Sequence, residues 1–168
     1  MHELVTVLEE FGYTWFSLDR AYEGVKYRPD GVVHVVVESS VIFVEVDEGG
    51  HDPLNPSYTP LKEQTRMTAL KDAAISNGND NVVFIRVNTG RLSEVLPQQV
   101  ETVREVLANI HSSTSKPKGY HVNYVDYRDD HVHFLESEKK ESGIDSVTKF
   151  HTENFDEKAS RLRASDLR

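Results

Sequence analysis

Residues 29–48 read Pro29-Asp30-Gly31-Val32-Val33-His34-Val35-Val36-Val37-Glu38-Ser39-Ser40-Val41-Ile42-Phe43-Val44-Glu45-Val46-Asp47-Glu48. Two β-branched runs, Val32–Val37 and Val41–Val46, flank Glu38-Ser39-Ser40, and a Pro-Asp-Gly turn leads into the first; the pattern predicts a β-hairpin. Pairing the two strands through a short turn sets the start of one beside the end of the other, so Asp30 and Glu45 converge. Side chains alternate along a strand, which puts Glu45 and Asp47 on one face and Val44 and Val46 on the opposite, core-facing one. An acidic stripe in an apolar strand is costly unless it meets metal, a partner or water. The alternative is a one-sided sheet with Glu45 and Asp47 in solvent.

Outward from the hairpin, Leu4, Val7, Leu8 and Phe11 fall at helical offsets and Gly12 closes the segment, predicting a short first helix over 2–11. Residues 13–22 mix aromatic and polar side chains, as a strand or irregular edge does. After the hairpin, residues 48–60 are rich in Gly, Pro, Asn and Asp and form a loop. Thr59 is a good N-cap and Pro60 suits the first helical position, so a helix runs over 61–76 until Asn77-Gly78-Asn79 ends it. Val82–Val87 is a strand of buried type, and Leu92–His111 is a second long helix with a break near Pro97. Lys116-Pro117-Lys118-Gly119 links to a terminal hairpin, His121–Tyr127 and His131–Leu135 around Arg128-Asp129-Asp130. The expected organisation is a core over 1–115, a β-hairpin over 116–136 and a charged tail or helical extension over 137–168. The element order points to an α/β layer with helices against a mixed sheet.

Composition narrows the function. A chain of 168 residues suits one core, and no apolar run approaches the ~18–20 residues that span a bilayer. The absence of cysteine excludes disulfides, thiolate metal sites and cysteine nucleophiles, and makes an intracellular location the expectation. A net charge of -9 argues against holding nucleic acid mainly through counterion release, yet suits an enzyme that collects divalent metal at carboxylates. Phosphate-loop, dinucleotide-binding and His-Glu-x-x-His motifs are lacking.

Hard divalent cations prefer oxygen ligands, and Asp30, Glu45 and the Val46 carbonyl would supply a set of them. His51, on the glycine-rich bend after the strand, would serve as a base, orient water or bind metal. Glu63 and Arg66 lie three apart on the helix, in the stripe that continues through Leu70 and Ala74. They form either an exposed ion pair or a site beside Glu45 and Asp47. His121, His131 and His133 share a hairpin face, as transition-metal ligands or as a solvated surface.

Tyr27-Arg28-Pro29-Asp30, Val44-Glu45-Val46-Asp47-Glu48, His51, Glu63, Arg66 and Phe84-Ile85-Arg86-Val87-Asn88 together resemble the PD-(D/E)xK nuclease superfamily. Within it the likeness is to the branch with very-short-patch repair endonucleases and small viral and phage restriction-like endonucleases, and it covers roughly residues 19–110. The resemblance implies a restriction-endonuclease-like mixed sheet, a DNA substrate, and Mg2+ (or Mn2+) held by Asp30 and Glu45. It implies a restriction, homing or repair activity and an intracellular, viral or phage setting. Asp47 stands where the superfamily pattern has lysine, so it joins the metal shell or supports it, and His51, Glu63 or Lys62 takes over the handling of water. Arg66 and Arg86 would meet phosphate or hold the carboxylates. A double-strand cut at a palindrome would need a homodimer, joined through the terminal hairpin or an exposed valine-rich sheet edge. The alternatives are a non-catalytic nucleic-acid-binding or assembly module on the same fold, and an unrelated acidic interaction domain.

Overall fold

The computed structural model describes residues 2–13, 15–35, 39–48, 59–90, 95–112, 118–127 and 143–152. Their elements are α1 (His2–Glu10), β1 (Trp15–Leu18), β2 (Gly31–Val35), β3 (Ser40–Glu48), α2 (Pro60–Ser76), β4 (Asn81–Gly90), α3 (Pro97–Ser112), β5 (Gly119–Val125) and β6 (Ser146–Phe150). The six strands form one mixed sheet in chain order. The β1/β2 and β2/β3 pairs are antiparallel, and β3 through β6 run parallel. The fold is thus α/β, with helices on both faces of the sheet.

Alternation along the strands assigns those faces. Ile42 and Val44 of β3, with Val83, Ile85 and Val87 of β4, pack against Leu4, Val7 and Leu8 of α1 and Val103, Val106 and Leu107 of α3. Val41 and Phe43, with Val82 and Phe84, pack against Met67, Leu70 and Ala74 of α2. Both faces of β3 are therefore core, contrary to the one-sided sheet, because α2 returns across the face that carries Glu45 and Asp47. The valine strands are interior as well. β1 and β6 form the sheet edges, so among the described residues neither valine strand is an edge strand.

The capping chemistry behaves as the residues require. Thr59 precedes α2 in extended backbone, its hydroxyl accepting from Lys62 N, with Pro60 at the first helical position. Gly12, at φ 75°, supplies the left-handed turn after α1. The third helix starts later than its apolar stripe suggested, at Pro97. Proline fits a first turn, where its missing N–H has no acceptor, and the Gln99 side chain accepts from Leu96 N at 3.1 Å.

The C-terminal half of the sequence reading changes most. β5 is present, but its neighbour is β6, in parallel register from His121↔Ser146 to Val125↔Phe150. The strand expected at His131–Leu135 lies outside the described residues. Residues 146–150, expected in a charged tail, belong to the sheet. Asp145 clips one end, accepting from Tyr120 N at 2.8 Å and donating its own N–H to the Tyr120 carbonyl. Asp126 clips the other, accepting from Thr152 N at 2.8 Å while Asp126 N donates to Phe150 O. Composition hid the strand because charged neighbours surround a five-residue segment whose partner is distant in the chain. Among the described residues, no helix is long and apolar enough to cross a membrane.

Ile144 is buried in the α2-side core, so Ile144→Ala is expected to cost ~2–3 kcal/mol of stability. Truncation after Glu136, which removes β6 and bares the β5 edge, should lower the thermal midpoint further. A truncated chain that melts with the full-length protein would show that β6 is not part of the cooperative fold.

Candidate active site

Extending the β2/β3 register one residue past Gly31↔Val44 brings Asp30 beside Glu45. A clip on the preceding loop fixes the turn: Arg28 donates through Nε and Nη2 to the Asp19 carbonyl, and Asp19 N donates to the Asp30 carbonyl. Asp30 Oδ2 accepts from Val46 N at 2.7 Å, which ties the turn to the end of β3. On the parallel side, β4 places Arg86 in register with Glu45. The first two turns of α2 then bring Glu63 and Arg66 down onto the same patch, on the stripe that continues through Met67, Leu70 and Ala74.

Four carboxylates and two guanidiniums meet there. Arg86, 0% exposed, donates Nε to Asp47 Oδ2 at 2.9 Å and Nη2 to Asp47 Oδ1 at 2.8 Å. Its Nη1 donates to Glu63 Oε2 at 3.0 Å. Arg86 thus bypasses its register partner Glu45 and grips Asp47, two residues further along β3. Glu45, 3% exposed, faces Arg66 instead, with Oε1 at 2.7 Å from Nη2. That contact is an ion pair without the angular geometry of a hydrogen bond, so Oε1 stays without a hydrogen-bond partner. Arg66 Nη2 also donates to the Arg28 carbonyl at 3.1 Å, and Nη1 lies 3.6 Å from Glu63.

Burial dominates the electrostatics. It pushes the Glu45 carboxyl up to about 7, against the lowering effect of Arg66 and Arg86, with Asp30 and Asp47 adding to the rise. Asp30 also lies above the ordinary carboxylate range, chiefly through burial and then through Asp47, although the Val46 N–H opposes the shift. For Arg86, burial by itself would disfavour the cation, but Asp47, Glu45 and Glu63 outweigh it and hold the guanidinium protonated. With every group ionised the carboxylates exceed the guanidiniums by two charges.

The structure brings together Asp30, Glu45, Asp47, Glu63, Arg66 and Arg86. Asp30, Glu45 and Val46 stand as neighbours, as the sequence suggested. Both oxygens of Asp47 accept from Arg86, so it holds that guanidinium in the patch. Glu63 and Arg66 face the sheet and form no surface pair, and Lys62 is exposed. His51, His131 and His133 lie outside the described residues. His121 Nδ1 lies 2.7 Å from Ser146 Oγ, at the β5/β6 seam. Among the described residues, no group of three or more His, Asp or Glu side chains could hold a metal ion.

Sequence reasoning missed Asp126. Its Oδ2 accepts from Gln99 Nε2 at 2.9 Å and from Thr152 Oγ1 at 3.1 Å, so it ties α3 and β6 to the end of β5. An aspartate just after the alternating strand that ends at Val125 was the signal available.

No family model, no curated protein and no solved structure matches the chain.

Two substitutions separate support from site. Asp47→Ala strands a fully buried guanidinium and should cost ~3–5 kcal/mol, whereas Asp30→Ala removes only the acceptor of Val46 N and should cost ~1–2 kcal/mol. Between pH 4.5 and about 7, native Glu45 retains a proton that the unfolded chain has released. Its contribution to stability is complete below that window and disappears as pH rises through about 7. The stability of wild type relative to Glu45→Gln should therefore fall on the order of 3 kcal/mol across this range. A pH-independent difference in denaturant midpoints would contradict it.

Proposed function

We propose that the chain is a divalent-cation-dependent endodeoxyribonuclease with a restriction-endonuclease-like fold, hydrolysing phosphodiester bonds in restriction, homing or repair. The observation that carries the reading is the convergence of Asp30 and Glu45, joined through Val46, in a buried patch whose carboxylates exceed its guanidiniums. The element order α-β-β-β-α-β, with one carboxylate at the turn into the second strand, the other on the third and α2 lying over them, supports the PD-(D/E)xK resemblance.

The residues fit the cation that this reading requires. Mg2+ keeps several waters and typically takes one or two protein carboxylates plus substrate phosphate, not a full side-chain cage. Asp30 and Glu45 meet that need, Glu45 Oε1 has no hydrogen-bond partner, and the Val46 carbonyl adds a third oxygen. Mn2+ suits the same donors. Such an ion, when bound, polarises the scissile phosphate and acidifies a water. The protein does the rest by position. Asp47 and Glu63 hold Arg86 in place, Arg66 offers positive charge near the rim, and His51, on the segment after β3, is the available base. An intracellular DNA substrate accords with the cysteine-free sequence, and palindromic double-strand cutting would require two copies of the chain.

A second reading has a specific observation behind it. Asp47 replaces the pattern's lysine and is fully engaged by Arg86, as in a non-catalytic nucleic-acid-binding or assembly module that kept the fold.

Incubation of supercoiled plasmid with the protein and Mg2+ or Mn2+ separates the two. Nicking or linearisation is expected, falling at least ~100-fold in Asp30→Ala and Glu45→Ala while circular dichroism stays native. An intact plasmid in both metals would leave the non-catalytic module.

A further inference from the structure

The two arginines of the patch are not equivalent. Arg86 makes all three of its contacts, at 2.8–3.0 Å, inside the patch and has no exposed surface. Releasing it would leave Asp47 and Glu63 buried without their cation. Arg66 is held less firmly and is 17% exposed at its side chain. It touches Glu45 without hydrogen-bond alignment, lies 3.6 Å from Glu63, and among the described residues donates one directed hydrogen bond, to the Arg28 carbonyl.

The position of Nη2 matters more than the strength of its contacts. The same nitrogen reaches Glu45 on β3 and the Arg28 carbonyl, two residues before Asp30. It therefore bridges the strand that supplies Glu45 and the loop that leads into Asp30. A cation shared by Asp30 and Glu45 needs the Glu45 oxygen at ~2.0–2.1 Å for Mg2+. A guanidinium nitrogen already stands 2.7 Å from that oxygen.

We propose that Arg66 is a displaceable stand-in for the divalent cation: it lowers the repulsion between Asp30 and Glu45 in the free protein and leaves Glu45 for the rim when the ion arrives. This rests on the nuclease reading only for the presence of a cation at Asp30 and Glu45. Arg66 is on this view a positioning residue, set by exchange between one positive group and another at a single carboxylate, while Arg86 stays fixed.

The test follows the arginine Nε–Hε resonances of the 15N-labelled full chain during Mg2+ titration at pH 8.5, with Arg66 assigned through Arg66→Lys. Saturable movement of the Arg66 signal with Arg86 unmoved is expected. Calorimetry of Arg66→Gln should show Mg2+ binding about three- to tenfold tighter than wild type, because no guanidinium has to be displaced. Wild-type protein that binds Mg2+ while the Arg66 signal stays still would overturn the exchange and leave the nuclease reading standing. So would equal or weaker binding by a folded Arg66→Gln. Wild-type protein that binds neither Mg2+ nor Mn2+ would overturn both.

Discussion

Arg86 carries a full positive charge at a position without water contact, and the site end of the sheet is arranged around that fact. A buried guanidinium without partners is prohibitively costly, so its donors must all find acceptors. Asp47 supplies two oxygens in the planar, bidentate geometry that suits arginine, and Glu63 takes the remaining Nη1. These bonds join α2 to the paired strands β3 and β4. Through Glu63, Arg86 ties the first turns of α2 to the sheet, beside the place where Arg66 meets Glu45.

The sheet topology makes that convergence possible. The parallel pairing of β3 and β4 puts residues of matching register on the same face, so Glu45, Asp47 and Arg86 share the side that α2 covers. Along this face the lining changes from apolar to ionic. Val41 and Phe43 meet Met67, Leu70 and Ala74, and the next residues on each element are Glu45, Asp47, Glu63 and Arg66. The apolar part anchors α2, and the ionic part gathers charge at the carboxyl ends of the strands, the usual location of sites in open α/β sheets.

Much of this was legible wherever the signal is local. The valine runs, the Pro29-Asp30-Gly31 turn and the Thr59-Pro60 cap each determine an element from neighbouring residues, and Glu63 and Arg66 announced an unusual helix face. What stayed hidden depends on register. Alternation put Glu45 and Asp47 on one face, but which of them Arg86 grips depends on the parallel offset between β3 and β4, and no local pattern encodes it. β6 was hidden for a related reason: its residues are ordinary for a polar segment, and only β5, with Asp145 and Asp126 at its ends, makes them a strand. The start of α3 was misplaced because Val95 is buried and prolongs the helical stripe, although Pro97 marks where the hydrogen-bonded helix can begin.

The imbalance of charge in the patch bears on why its carboxylates differ so much in role. Asp47 has both oxygens bonded to a guanidinium that cannot leave, so its ionised form is secured by the fold itself. Glu45 is equally buried but holds only a poorly aligned contact with Arg66, and burial drives its pKa to about 7. Such a group does little for stability at neutral pH, where its charge is costly. A hydrophobic or amide side chain at position 45 would serve the core better if packing were the only demand. The same two-residue spacing along β3 therefore yields one carboxylate that completes the structure and one that the structure leaves under-compensated. An under-compensated carboxylate beside Asp30 is where an added positive charge gains most, and the electrostatic gain falls on the end of β3 that the Asp30 turn already encloses.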